Sequence, residues 1–132
     1  MEANNKYSKK EKLKSKKAID VLFSKGKSIN AFPVRVIYSS KSEKEGIFIN
    51  MGVTVSKKNI KLAVNRNLIK RRIREAYRLN NNDLKTHLKN TNSELNIMFI
   101  YTSKQILTYK EIEPKIKVLL TRLIELSEVV SE

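Results

Sequence analysis

The stretch Val55–Arg78, "VSKKNIKLAVNRNLIKRRIREAYR", limits what this chain can become more than any other: it puts nine Lys or Arg and a single acid, Glu75, on one short segment that must also fold. Apolar residues recur through it at helical spacing, which predicts a helix from about Lys61 to Leu79. At about 100° per residue, Arg66, Asn67, Lys70, Arg71, Arg74 and Arg78 fall within an arc of about 140°. Leu62, Ile69, Ile73, Ala76 and Tyr77 take an adjacent arc of about 100°. One face is therefore suited to burial and its neighbour gathers cations. Positions 66, 70 and 74 are mutually i,i+4, so like charges repel along the ridge and weaken the isolated helix by a few tenths of a kcal/mol per pair. A merely solvated face interleaves both signs. This one does not, and an anion-binding surface is the better reading.

The whole chain leans the same way. Its 132 residues carry 28 Lys+Arg against 13 Asp+Glu, a formal net charge of +15. Such an excess repels itself in the compact state, and an anionic partner is the usual reason to tolerate it. Nucleic acid, an anionic membrane and an acidic protein are the candidates, and a basic domain of this size fits nucleic acid first. The chain has no cysteine, so disulfides and Cys-based zinc sites are excluded and a reducing cytoplasm is the expected location. No apolar run approaches the roughly 18 residues of a membrane span, and "MEANNKYSKKEKLKSKK" lacks the apolar core of a secretory signal. No membrane partner is expected.

The length suits a single domain. Residues 1–12 read as a mobile Lys-rich arm and 13–132 as one RNA-binding αβ domain. A first helix is predicted over Lys16–Lys25, capped by Ser15 and stopped by Gly26, with a short strand at about Lys27–Asn30. "VRVIY" alternates Val34, Val36 and Tyr38 against Arg35 and Ile37; Pro33 marks a break or an edge. "IFINMGVTVS" alternates Ile47, Ile49, Met51, Val53 and Val55 against Phe48, Asn50, Gly52 and Thr54. After the basic helix, "NNNDLKTHLKNTNSE" reads as a loop with at most a helical turn at Leu84–Leu88, and "LNIMFIYTS" as a buried strand. Ile112, Ile116, Leu119, Leu120, Leu123 and Leu126 define a last helix, beginning either at a Thr108/Glu111 capping box or, to spare Pro114, near Glu113. Phe48 and Phe99 belong to the core in this reading.

The basic helix thus joins two strands. Helices that read DNA in the major groove usually sit in all-helical frames. A mixed frame favours structured RNA, gripped by phosphate and shape. Arg dominates Arg66–Arg78, and its planar fork holds phosphate through two hydrogen bonds.

"RNLIKRRIR", Arg66 to Arg74, resembles the R-N-x-x-K-R-x-x-R motif of the bacterial ribonuclease P protein component. The lead-in "GVTVSKKNIKLAVNRN", the segment "LKSKKAIDVLFSKGKS" and the closing "MFIYTSKQILTYKEIEPKIKVLL" are similar to other parts of that family, collinearly over about residues 13–126. The resemblance implies an α+β fold, α-β-β-β-α-β-α, a sandwich with a mixed four-stranded sheet and a left-handed crossover through the basic helix. It also implies an endoribonuclease that works as a ribonucleoprotein: the RNA subunit is the catalyst, and the protein is the accessory subunit in 5′-leader removal from precursor tRNA. Mg2+ would be held mainly by the RNA subunit and substrate, and the protein would act as a monomer, one per RNA. Carried onto this sequence, Arg66, Asn67, Lys70, Arg71 and Arg74 would contact the catalytic RNA, and Phe23 and Ile19 the leader. Ile19 stands where the family usually has Phe, and Asn59-Ile60-Lys61 where many members have a glycine turn. Arg35, Ile37 and Thr54, on the strand faces away from the core, and Lys58 would line the same cleft.

No catalytic residue and no metal ligand is expected on the protein itself. His87, the sole histidine, lies in a polar segment without a recognisable nucleophile or orienting acid, and Asp20 and Asp83 are the only aspartates. Two other functions compete: a ribosomal or ribosome-assembly protein with no part in cleavage, and a protein-only nuclease.

Overall fold

A computed structural model describes residues 9–41 and 44–131. Four helices and four strands follow in the order α1 (Lys16–Lys25), β1 (Lys27–Ala31), β2 (Val34–Ser40), β3 (Ile49–Val55), α2 (Ala63–Asn80), α3 (Asn82–Thr91), β4 (Leu95–Tyr101) and α4 (Tyr109–Ser131). The sheet order is β1-β2-β4-β3. β1 and β2 form an antiparallel hairpin, β4 inserts antiparallel to β2, and β3 runs parallel to β4 on the far edge. A parallel pair needs a crossover, and α2 and α3 together supply it. The α+β sandwich with a mixed four-stranded sheet expected from the sequence is the fold observed.

Alternation in the strands decides the layers. Val34 and Val36 of β2, Ile49, Met51 and Val55 of β3 and Ile97, Phe99 and Tyr101 of β4 bury on one face. There they meet Ile69, Ile73, Ala76 and Tyr77 of α2, Leu84 and Leu88 of α3, and Ile112, Ile116, Leu119, Leu120 and Leu123 of α4. Tyr77 and Phe99 pack edge to face, with ring centroids 6.1 Å apart. Phe48 is half-buried against this core. The opposite face carries α1 and the segment that leads into it.

Several local features follow the sequence closely. The Ser15 side chain accepts a hydrogen bond from the Ala18 amide and caps α1. Gly26 ends α1 with an ordinary φ of −70°, so the glycine is there for space: a Cβ would stand 2.3 Å from the Leu22 carbonyl oxygen and 2.7 Å from the Ile37 Cγ2. At α4 the capping box forms: the Glu111 carboxylate accepts from the Thr108 amide at 2.9 Å, and the Glu111 amide donates back to the Thr108 hydroxyl at 3.3 Å. Pro114 therefore sits inside α4, one turn from its start.

Three expectations change. The Asn-rich stretch is a full ten-residue helix, α3, because Leu84 and Leu88, one turn apart, both bury completely and Asn92 closes it in the left-handed region at φ 52°. Leu62 is not on the buried arc: it precedes the first turn of α2 as its N-cap, outside the helical phase, and is 63% exposed. β3 starts at Ile49, two residues later than Ile47. Of the arm expected at residues 1–12, residues 1–8 lie outside the described residues. Lys9–Glu11 form one 3-10 turn, and Lys12 bridges to Met51 on the outer edge of β3.

α1 crosses the strands rather than running along them. Leu13, just before it, lies beside Gly52 of β3, Leu22 clusters with Met98 of β4 and Ile37 of β2, and Gly26 meets Ile37 again. Gly52, Met98 and Ile37 share one register line across the sheet. The flanking line on one side is Thr54–Ile100–Arg35, towards the end of β3 from which the chain leaves for α2. On the other side it is Asn50–Asn96–Ser39.

Candidate nucleic-acid interface

The cationic arc of α2 survives folding intact in its middle. With Ile69, Ile73, Ala76 and Tyr77 buried, the helical phase leaves Asn67, Arg71 and Arg74 exposed and Arg66, Lys70 and Arg78 partly so. A shallow depression on this surface is lined by Asn67, Arg71, Arg74, Glu75 and Arg78. It gathers three of the five residues assigned to RNA contact. Arg66 and Lys70 are not among its lining; they flank it along the same helix.

Three arginines of this helix are partly committed to the protein. Arg66 Nη1 donates to the carbonyls of Ile60 and Lys61 at 2.9 and 2.7 Å, tying the turn before α2 to its first residues. No side chain caps the N-terminus of α2, and this arginine holds the incoming chain instead. Arg72 donates to the Leu107 carbonyl at 2.6 Å and clamps α2 to the segment leading into α4. Arg78 forms two parallel hydrogen bonds with Glu75, at 3.0 and 2.8 Å. That pairing lowers the Glu75 carboxyl below its usual range and raises the Arg78 guanidinium. Glu75 thus cancels one charge at the C-terminal end of the ridge and leaves Lys70, Arg71 and Arg74 without an ion pair among the described residues.

The far side of α2 is fixed to α4 by a polar seam. Asn80 donates to the Glu113 carboxylate at 3.1 Å, and the Tyr109 hydroxyl donates to it at 3.0 Å. The Asn80 hydrogen bond keeps Glu113 below its ordinary value, against its partial burial. Burial, and then the Glu113 carboxylate, push the Tyr109 phenol up to about 12. A helix held by a packed face and this seam presents its ridge at a fixed angle, which is what shape recognition of a folded RNA requires.

The second set of assigned residues surrounds the Thr54–Ile100–Arg35 line. Arg35 is exposed and reaches the Ser28 hydroxyl at 3.4 Å. Thr54 is half-buried, and Lys58 is exposed in the turn after β3. On α1, Phe23 is 51% exposed, one turn beyond Ile19. Ile19 packs with Ile100 onto the small cluster of Leu22, Ile37 and Met98. Ile37 is only 6% exposed. It supports α1 from below and offers almost no surface to a ligand. On this face, then, Phe23 is an exposed aromatic, Ile19 and Ile100 are half-buried apolar residues, and Arg35 and Lys58 are exposed cations.

Sequence reasoning missed one residue here. Phe32, in the turn between β1 and β2, is 65% exposed beyond the Arg35 end of this face. Its only trace in the sequence is an aromatic residue directly before Pro33. Among the described residues no group of three or more His, Cys, Asp or Glu is placed to hold a metal ion. Also among them, no helix is long and apolar enough to cross a membrane.

Comparison with known proteins bears on most of the chain. A family model described as Ribonuclease P matches residues 7–124. The ribonuclease P protein component of Porphyromonas gingivalis strain ATCC 33277 is 36% identical over 106 residues, covering 80% of this chain and 77% of that protein. The RNase P protein of Staphylococcus aureus superposes with a TM-score of 0.65 at 26% identity, over 86% of this chain and 94% of the other. That of Thermotoga maritima has the same fold, with a TM-score of 0.64 at 23% identity over 85% and 96%. A family match across nearly the full domain, on a fold that carries the expected arginine ridge, makes this chain a member of the bacterial ribonuclease P protein family.

Proposed function

We propose that this chain is the accessory protein subunit of ribonuclease P: it binds the catalytic RNA and the 5′ leader of precursor tRNA and assists Mg2+-dependent removal of that leader. The observation that carries the reading is the one-signed ridge Lys70–Arg71–Arg74, exposed on a helix whose other face is locked into the core, in a chain of this family.

The chemistry divides between two surfaces. On α2, Asn67, Lys70, Arg71 and Arg74 meet phosphates of the catalytic RNA, each neutralised phosphate releasing counterions. Arg66, tied to the Ile60 and Lys61 carbonyls, keeps part of its fork for the same partner and fixes the turn beside it. In the groove beside α1, Phe23 stacks on a leader base, a contact worth about 1–3 kcal/mol. Arg35, Thr54 and Lys58 hold the leader's backbone, and Ile19, with Ile37 beneath it, shapes the apolar wall. Neutralising leader phosphates beside the cleavage site lowers the Mg2+ concentration the RNA needs there. In this reading Mg2+ is held mainly by the RNA subunit and the substrate, where it would supply the metal chemistry of cleavage.

Reconstitution tests this. Cleavage at low Mg2+ should require the chain together with cognate catalytic RNA and precursor tRNA; cleavage by protein alone, or no stimulation of the RNA, would overturn the reading. Arg71→Ala with Arg74→Ala should reduce the log–log salt slope of catalytic-RNA binding by about 1 per arginine. The same pair should change stability by no more than about 0.5 kcal/mol, because both side chains stand clear of the core.

A further inference from the structure

The line Asn50–Asn96–Ser39, on the other side of α1, floors a second groove of about 400 Å3. Its walls are Lys17, Ala18 and Val21 of α1 and the incoming segment with Lys10, Lys12 and Lys14. Lys41 and Glu45 close one end. Five lysines therefore face one acid. Lys41 is spoken for, lying 3.6 Å from Glu45 and 3.7 Å from Glu94. Lys10, Lys12, Lys14 and Lys17 form no ion pair among the described residues.

The floor is polar and incompletely used. Asn50 donates its amide to the Lys10 carbonyl at 2.9 Å, which anchors the lysine-bearing segment over the sheet. Asn96, next to it on β4, is half-buried, and its amide makes no hydrogen bond among the described residues. With no partner among those residues, this amide keeps its donors and acceptor free for a ligand. An amide that both donates and accepts, beneath a rim of four unpaired ammonium groups, matches a nucleotide: a base edge or ribose hydroxyl below, phosphates above. The groove is on the scale of a small-ligand site, and an RNA duplex is too wide to enter it.

We propose that this second groove binds a single-stranded RNA segment: the part of the 5′ leader that lies beyond the nucleotides held beside Phe23. The assignment rests on the leader-binding function above and extends it to a separate surface. Position decides the source of the strand. Thr54 opens the first groove at the end of β3 that leads to α2, and Asn50 floors the second, four residues back along the same strand and about 13 Å away. A strand arriving from RNA docked on α2 meets the first groove first. Only a leader long enough to continue past α1 reaches the lysines.

The test compares the full-length chain and its variant Lys12→Gln/Lys14→Gln/Lys17→Gln, each assembled with cognate catalytic RNA, on precursor tRNAs with short and long leaders. These side chains leave the core untouched, and circular dichroism checks the fold. The variant should bind the long-leader precursor about tenfold or more weakly at low salt, with a log–log salt slope smaller by about 2, or roughly 0.7 for each of three phosphates. Binding of the short-leader precursor should move less than about twofold. Equal losses for both leaders, with weakened binding to catalytic RNA alone, would give the groove to the catalytic RNA and overturn the assignment. No loss with either leader would overturn it too, as would displacement of the long leader by polyglutamate as readily as by oligouridylate. Arg71→Ala/Arg74→Ala, measured alongside, should weaken both precursors alike; its failure would count against docking on α2 and leave the second groove untouched.

Discussion

On one face of the sheet Val36, Ile97, Phe99 and Tyr101 meet three helices; on the other, Ile37 and Met98 meet one, beside the short segment that leads into it. The same strands make both faces, so the difference lies in what each alternate residue brings. The core side has an almost unbroken apolar set. The α1 side interleaves Arg35, Ser39, Asn50, Thr54 and Asn96 with its few apolar residues. A single layer thus gives one face to the main core and leaves on the other a smaller apolar cluster set among polar side chains.

The sharpest way to break this division is to delete one anchor from each side. Phe99→Ala removes a fully buried ring and its contact with Tyr77, and should cost about 3–5 kcal/mol. Leu22→Ala should fall near the lower end of the roughly 2–5 kcal/mol range, because α1 rests on a small cluster and can settle towards the sheet. Urea unfolding of the two variants gives the comparison directly. Equal costs would mean that the α1 side is a second core and not mainly a binding face.

A smaller effect should separate the faces by location. In Gly26→Ala the new methyl meets the Leu22 carbonyl and the Ile37 side chain at distances no real Cβ tolerates, so the end of α1 must move. A cost of about 1–3 kcal/mol is expected. Amide exchange should speed up in α1 while α2 and α4 keep their protection, because those helices pack on the opposite face. Protection lost evenly over all four helices would show that the two sides unfold as one unit.

These same contrasts explain what was readable from sequence. The α2 ridge was legible because helix phase alone sets it: Ile69, Ile73, Ala76 and Tyr77 bury and the cations follow by geometry. Leu62 escaped because phase stops at the first turn. In α3 the polar residues outnumber the two leucines, so the sequence shows at most a turn at Leu84–Leu88, and only packing against α4 reveals that both are core. Alternation places Ile37 on the face away from the core, but it does not show that α1 lies on top of it. The second groove needed a long-range fact, the crossing of α1 over Gly52, Met98 and Ile37. Its local trace is the alternation of Lys10, Lys12 and Lys14, which in an N-terminal segment passes for a solvated arm.

The smallest effect concerns the end of the sheet where the faces meet. Glu94, buried just before β4, accepts the amides of Glu45 and Gly46 at 2.8 and 2.9 Å and faces Lys41 at 3.7 Å. Burial alone would raise its carboxyl, but the two amides and the lysine outweigh it and hold the group below its ordinary value. A carboxyl depressed in the folded state stabilises fully above its unfolded pKa, and that contribution is lost as pH falls through the folded value. Glu94→Gln should therefore be less stable than the parent near neutrality. The gap should close as the pH drops below the usual carboxylate range, while the gap for Phe99→Ala stays open. Thermal melts of the three proteins across that range test it. A Glu94→Gln deficit that persists undiminished in acid would mean that packing, and not charge, fixes the loop that closes the second groove.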